Sequence, residues 1–193
     1  MKKLMVLLAA LVLLAACGGG DSDLANPAFG DVTLTGDALA PFEDPTADTA
    51  IGQPAPSLSG VDHNGEGVAF TPGDNATLLI FLAHWCPHCQ SELPVLSKWV
   101  EENPETLGID MIAVATGTTN ARPNFPPGPW IEREGWTQPV IMDDEQGTAG
   151  AQFGLTSYPF WVVVDSQGNV AARTAGEIPE DQIEDLLSAV ADL

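Results

Sequence analysis

Apolar positions along the chain follow two periods, and the change between them marks its centre. Leu78 to Leu82 is a continuous apolar run within a strand-length segment, Thr77–Ala83. Directly after it, Cys89, Leu93, Leu96 and Val100 recur at the i, i+4, i+7, i+11 spacing of one helix face. The pattern predicts a strand, a sharp turn and a helix over Cys86–Glu102, closed by Asn103-Pro104. Two cysteines, Cys86 and Cys89, open that helix with Pro87-His88 between them. Pro87 suits the first turn, where a missing N–H costs nothing. Pro94, further in, is expected to kink the helix.

The same reading extends along the body. Leu58–Val61 and Val68–Phe70 flank a cluster of Asp62, Asn64, Gly65 and Gly67, the signature of a β-hairpin. Ile109–Ala115 reads as a buried strand. Pro123, Pro126, Pro127 and Pro129 impose an irregular loop, with a short helix near Pro129–Glu134. Val140–Met142 is a short strand and Gly147–Phe153 a short helix. Phe160–Val164 turns through Asp165–Asn169 into a partner strand, Val170–Thr174. The last helix begins near Pro179 and places Ile183, Leu186, Leu187 and Val190 on one face. Strands alternating with helices predict an α/β domain over 51–193, a mixed central sheet with helices on both faces.

Upstream, Lys2 and Lys3 precede an apolar run from Leu4 to Ala16. Thirteen residues are too few to cross a bilayer but suit a secretory signal. The run ends Leu14-Ala15-Ala16-Cys17, which resembles the lipobox of bacterial lipoproteins and implies lipid attachment at Cys17. The Gly18-Gly19-Gly20 stretch supplies a flexible spacer. Residues 1–16 are thus expected to be a lipoprotein signal peptide, and 17–50 a lipidated tether with a loosely docked extension. Within that extension Val32–Leu34 alternates as one short strand. The expected location is the extracytoplasmic face of a bacterial cell membrane, held by the lipid anchor alone.

Charge narrows the partners. The chain carries six Lys and Arg against 27 Asp and Glu, a formal net charge of −21. Without the two signal lysines, four basic residues remain against 27 acidic ones, a net −23. Such a surface disfavours nucleic acid and repels anionic headgroups. A soluble, tethered monomer is expected.

The chemistry lies in the cysteine pair. Backbone N–H groups and the positive end of the helix dipole stabilise a thiolate at Cys86. Cys89, one turn on, is placed to resolve a mixed disulfide. Zinc requires four ligands, and the chain has no second Cys-x-x-Cys. Haem attachment requires His after the second cysteine, where Gln90 stands. A purely structural disulfide is the plainest alternative, and Pro-His between the cysteines with Trp85 before them argues against it. With Cys17 assigned to lipid, Cys86 and Cys89 are the remaining pair. A copper-delivery module, the alternative from the binding class, uses cysteines three residues apart and a distal His; here the spacing is two and no His lies in the C-terminal half. No metal and no cofactor are expected.

From Ile51 to Leu193 the chain resembles the thioredoxin superfamily, most closely the membrane-anchored TlpA/ResA-like thiol–disulfide oxidoreductases and their redoxin relatives. The resemblance rests on Trp85-Cys86-Pro87-His88-Cys89 at a strand-to-helix turn, with Glu92 and Pro94 after it. Gly52–Pro56 and the Gly154–Pro159 run before Phe160–Asp165 and Gly168 add to it. It implies a thioredoxin-like three-layer α/β/α fold, with Cys86 and Cys89 as a catalytic, redox-active pair and Pro159 as a cis-proline facing them. Trp85 and Tyr158 become the substrate-binding lip, while Pro87, His88 and Pro159 tune the site. The strand before the motif has no acid, and Glu92 takes the place of that proton acceptor. A peroxidase would need Pro and Thr where Leu79 and Ala83 stand, and the helical insertion of DsbA-like oxidases has no room here. The resemblance implies protein thiols and disulfides as partners, with a membrane electron donor or acceptor. Reduction of protein disulfides is the favoured direction and oxidation of secreted proteins the alternative. The local chemistry places the expected potential above thioredoxin's about −270 mV and below DsbA's about −120 mV.

Overall fold

The computed structural model describes residues 27–103 and 108–191. Cys17, with the apolar run before it and Gly18–Gly20 after it, lies outside the described residues.

Thr77–Leu82 forms β4, the middle of a five-stranded sheet in the order β6-β5-β4-β7-β8. Its neighbours are β5 (Asp110–Ala115), parallel, and β7 (Phe160–Val164), antiparallel. β6 (Val140–Met142) lies parallel to β5, and β8 (Val170–Ala175) antiparallel to β7, with an irregularity at Val163/Val164. A mixed sheet follows from the connections: helix crossovers give parallel neighbours, and the Asp165–Asn169 turn gives an antiparallel one.

Both faces of β4 are buried, which explains its unbroken apolar run. Leu78, Ile80 and Leu82 join a core formed with α1 (Pro87–Glu102), α2 (Pro127–Arg133) and α4 (Glu180–Ala191). That core contains Leu93, Leu96 and Val100 of α1, Trp130 and Ile131 of α2, and Ile183 and Val190 of α4. The alternate residues Leu79 and Phe81 face a second core with Ala149 of α3 (Thr148–Gln152), Phe153, Phe160 and Val162. α1 continues through Pro94 to Glu102.

The second face is only partly helical. α3 shares it with a separate antiparallel sheet of β1 (Thr33–Thr35), β2 (Ser57–Val61) and β3 (Gly67–Phe70). Leu58 of β2 and Phe70 of β3 are buried in that core. The β2–β3 hairpin was legible from its turn residues; its pairing with β1 was not.

The extension expected to dock loosely is instead built into this core. Leu39, Phe42 and Ala50 are buried, and Phe42 packs against Phe160 with ring centroids 5.7 Å apart. The fully buried Arg173 of β8 clamps the segment. It forms a two-pronged ion pair with Asp48, donates from Nη1 to the carbonyls of Ala40 and Phe153 at 2.9 Å each, and lies over the Phe42 ring. The Asp48 carboxyl is held below its usual range by the Arg173 hydrogen bond. Composition read this stretch as a linker because its three buried apolar side chains are spread over a dozen residues without a period.

Candidate active site

The chain turns sharply at Ala83–Cys86, where Cys86 N–H donates to the Ala83 carbonyl at 2.9 Å. Cys86 is the N-cap residue of α1, extended at φ −76° and ψ 122°, and no side chain caps the helix. The first turn also lacks an acidic residue. Cys86 thus stands at the positive end of the α1 dipole, with no side-chain acceptor competing at that helix end.

The two cysteines are unequal. Cys86 retains 6 % exposure and Cys89 none, and neither is bridged. Cys86 is nearly closed off, with the 158–159 segment against it. Its thiol contacts the Tyr158 carbonyl at 3.8 Å. Cys89 Sγ accepts the Ala83 N–H at 3.4 Å. Burial raises the Cys89 thiol far above its ordinary value, and the nearby Cys86 and Glu92 add to the rise. Cys89 thus holds its proton at neutral pH and needs a base before it can attack.

Glu92 lies on the same buried face of α1, at 3 % exposure. Its Oε2 accepts the Ile178 N–H at 3.0 Å, while Oε1 is buried without a protein hydrogen-bond partner. Burial pushes this carboxyl up to about 7, and Glu177 adds to the rise against the pull of the Ile178 bond. A carboxyl poised there exchanges protons readily near neutrality. Ser91, Glu92, Val95, Glu177, Ile178 and Pro179 line a hollow of about 440 Å³ beside it.

The Tyr158–Pro159 bond is cis. The Trp85 and Tyr158 rings meet edge to face at 5.8 Å, and Trp85 Nε1 donates to the Gly117 carbonyl at 2.8 Å. His88 is exposed, with Nδ1 3.3 Å from Glu177 Oε2. A protonated His88 therefore has a carboxylate partner of its own, which weakens the support expected from it for Cys86. Pro87 occupies the first position of α1 and is exposed.

Three features were not read from the sequence. His84 is buried with both ring nitrogens bonded, Nδ1 to the Pro123 carbonyl at 2.6 Å and Nε2 to the Thr119 N–H at 3.2 Å. Gly117 touches the Tyr158 side chain, and Glu177 pairs with His88. Only the adjacency of His84 to Trp85 carried a hint; the other contacts join distant parts of the chain. Among the described residues no group of three or more His, Cys, Asp or Glu is arranged to hold a metal.

Residues 50–190 match the Redoxin family model. The thiol:disulfide interchange protein DsbE of Pasteurella multocida is 27% identical over 141 residues, covering 70% of this chain and 73% of that protein. The thiol-disulfide oxidoreductase ResA of Halalkalibacterium halodurans is 24% identical over 114 residues, covering 58% of this chain and 61% of that one. Among solved structures, a thioredoxin-family thiol:disulfide interchange protein from Chlorobium tepidum superposes with a TM-score of 0.59 at 24% identity. That match covers 75% of this chain and 99% of the other. A strand–turn–helix bearing two unequal thiols beneath a cis-proline is thus joined to a family match across most of the body. The chain belongs to the Redoxin family, is similar to the DsbE and ResA proteins, and is a thiol–disulfide oxidoreductase.

Proposed function

We propose that the protein works outside the cytoplasm, anchored by lipid at Cys17, and reduces protein disulfides through Cys86 and Cys89. One observation carries the reading: two thiols share the start of α1, one beneath the Tyr158 carbonyl and the other sealed behind it. As a thiolate, Cys86 attacks one sulfur of a target disulfide. The target S–S bond breaks, and one target thiolate leaves. Cys89 gives its proton to Glu92 and attacks Cys86 Sγ, releasing the second target thiolate. Two electrons pass to the target, and a Cys86–Cys89 disulfide remains for a membrane electron donor to reduce. Trp85, Tyr158 and Pro159 form the docking lip; Pro87 and His88 tune the couple, whose potential is expected between those of thioredoxin and DsbA.

Trapping tests the direction. Reduced Cys89→Ala protein should capture oxidised targets as mixed disulfides through Cys86. If it captures none, while its glutathione-capped form captures reduced secreted proteins, the enzyme is an oxidase. Mass spectrometry tests the anchor: an unmodified N-terminus downstream of Cys17 would remove it.

A further inference from the structure

In a chain of net charge −21, cations are scarce, and most of those described already have carboxylate partners. Lys98 Nζ lies 3.7 Å from Glu102. Arg133 reaches Glu134 at 3.2 Å and Asn124 at 2.9 Å. Arg173 is buried against Asp48. Arg122 differs. Among the described residues, no carboxylate pairs with it, and its side chain is exposed. Its guanidinium lies over the Trp85 ring, 5.4 Å from the centroid, and Trp85 is the residue before Cys86. A guanidinium held over an aromatic ring by its charge still offers N–H donors that can grip a carboxylate by two bonds.

The loop carrying Arg122 is pinned at both ends. Gly117 accepts the Trp85 indole N–H, and Asn124 Nδ2 donates to the His84 carbonyl at 3.0 Å. Between them the His84 ring donates to Pro123 through Nδ1 and accepts from Thr119 through Nε2. Only a neutral ring with its proton on Nδ1 does both. Burial keeps His84 below the ordinary histidine range, against the pull of the Pro123 bond.

The geometry points to Arg122 as a specificity-determining residue that recognises a carboxylate flanking the target's cysteine, with His84 as the positioning residue that holds it over Trp85. The inference rests on the proposed exchange site and adds a substrate class to it: disulfides with Asp or Glu beside the reacting sulfur. Charged groups near the cysteines among the described residues include the buried Glu92, the His88–Glu177 pair and, beyond Tyr158, the buried Asp143. Glu177 is exposed and opposes an acidic target, so the sign of the preference is informative.

Three model peptides test it, identical except for Glu, Gln or Lys on both sides of one cysteine. Each is presented to the reduced protein as a mixed disulfide with 2-mercaptoethanol, at low salt. The expected order of kcat/KM is Glu, Gln, Lys, with a Glu-to-Gln ratio of about threefold. That ratio falls toward one in Arg122→Gln, lies between in Arg122→Lys, and falls in His84→Ala. Lys98→Gln, which removes an equal charge from α1 instead, keeps it. A ratio near one or reversed in the wild type, or one that survives Arg122→Gln, overturns the proposal. Exchange with none of the peptides overturns the thiol–disulfide reading and this proposal with it, whereas exchange without discrimination overturns the proposal alone.

Discussion

At position 92 a carboxyl sits on the covered face of α1, one oxygen held by the Ile178 N–H and the other without a protein partner. Its value, pushed up to about 7 chiefly by burial, has a defined consequence. The folded protein holds this proton more tightly than the unfolded chain does. The stabilising effect is full below the ordinary glutamate value and is lost as pH rises through about 7. Glu92→Gln keeps the shape and removes the charge. It should therefore be more stable than wild type by on the order of 1–2 kcal/mol at pH 8 and equal to it at pH 4, by thermal melting. Its exchange rate should also lose the limb that rises near pH 7; an unchanged pH–rate profile would exclude the proton-exchange role. The helical spacing of Cys89 and Glu92 was visible in the sequence. The Ile178 N–H, 86 residues away, was not, because only the packing of the segment before α4 brings it there.

Local signals were strong where an element buries one continuous face. β4 and α1 follow from the apolar run and from the spacing of Cys89, Leu93, Leu96 and Val100. The loop after β5 has no such signal, yet it packs against Trp85 and Tyr158. Gly117 there has φ +60°, and a β-carbon would come within 2.3 Å of the Tyr158 hydroxyl. Gly117→Ala should cost about 1–3 kcal/mol by denaturant midpoint, from left-handed strain and displacement of Tyr158. Exchange with protein disulfides should slow with it. A variant with wild-type stability and rate would show that the Tyr158 position is not constrained from this side.

Across the whole molecule, the buried Arg173–Asp48 pair joins the extension to β8 and with it closes the second core. Removing one partner leaves a buried charge unpaired, so Asp48→Ala should cost about 3–5 kcal/mol at pH 7. The Asp48 carboxyl is held low by Arg173. The stability it contributes is present above the ordinary aspartate value and lost as pH falls through the lower folded value. The gap in melting temperature between wild type and Asp48→Ala should therefore shrink in acid. A small, pH-independent gap would mean the clamp is dispensable.

By itself the sequence determined the order of the main elements and the cysteine pair at the start of α1, both written in neighbouring residues through the spacing of apolar side chains and a short motif at a turn. Resemblance to a known family, not spacing, nominated Glu92 and Pro159. Tertiary structure alone decided what those groups experience. It sealed Cys89 behind Cys86, buried Glu92 against Ile178, turned His88 to Glu177 and set Arg122 over Trp85. It also drew Leu39 and Phe42 into the core. Desolvation and ion pairing depend on which distant segments meet, and separation along the chain carries little trace of that.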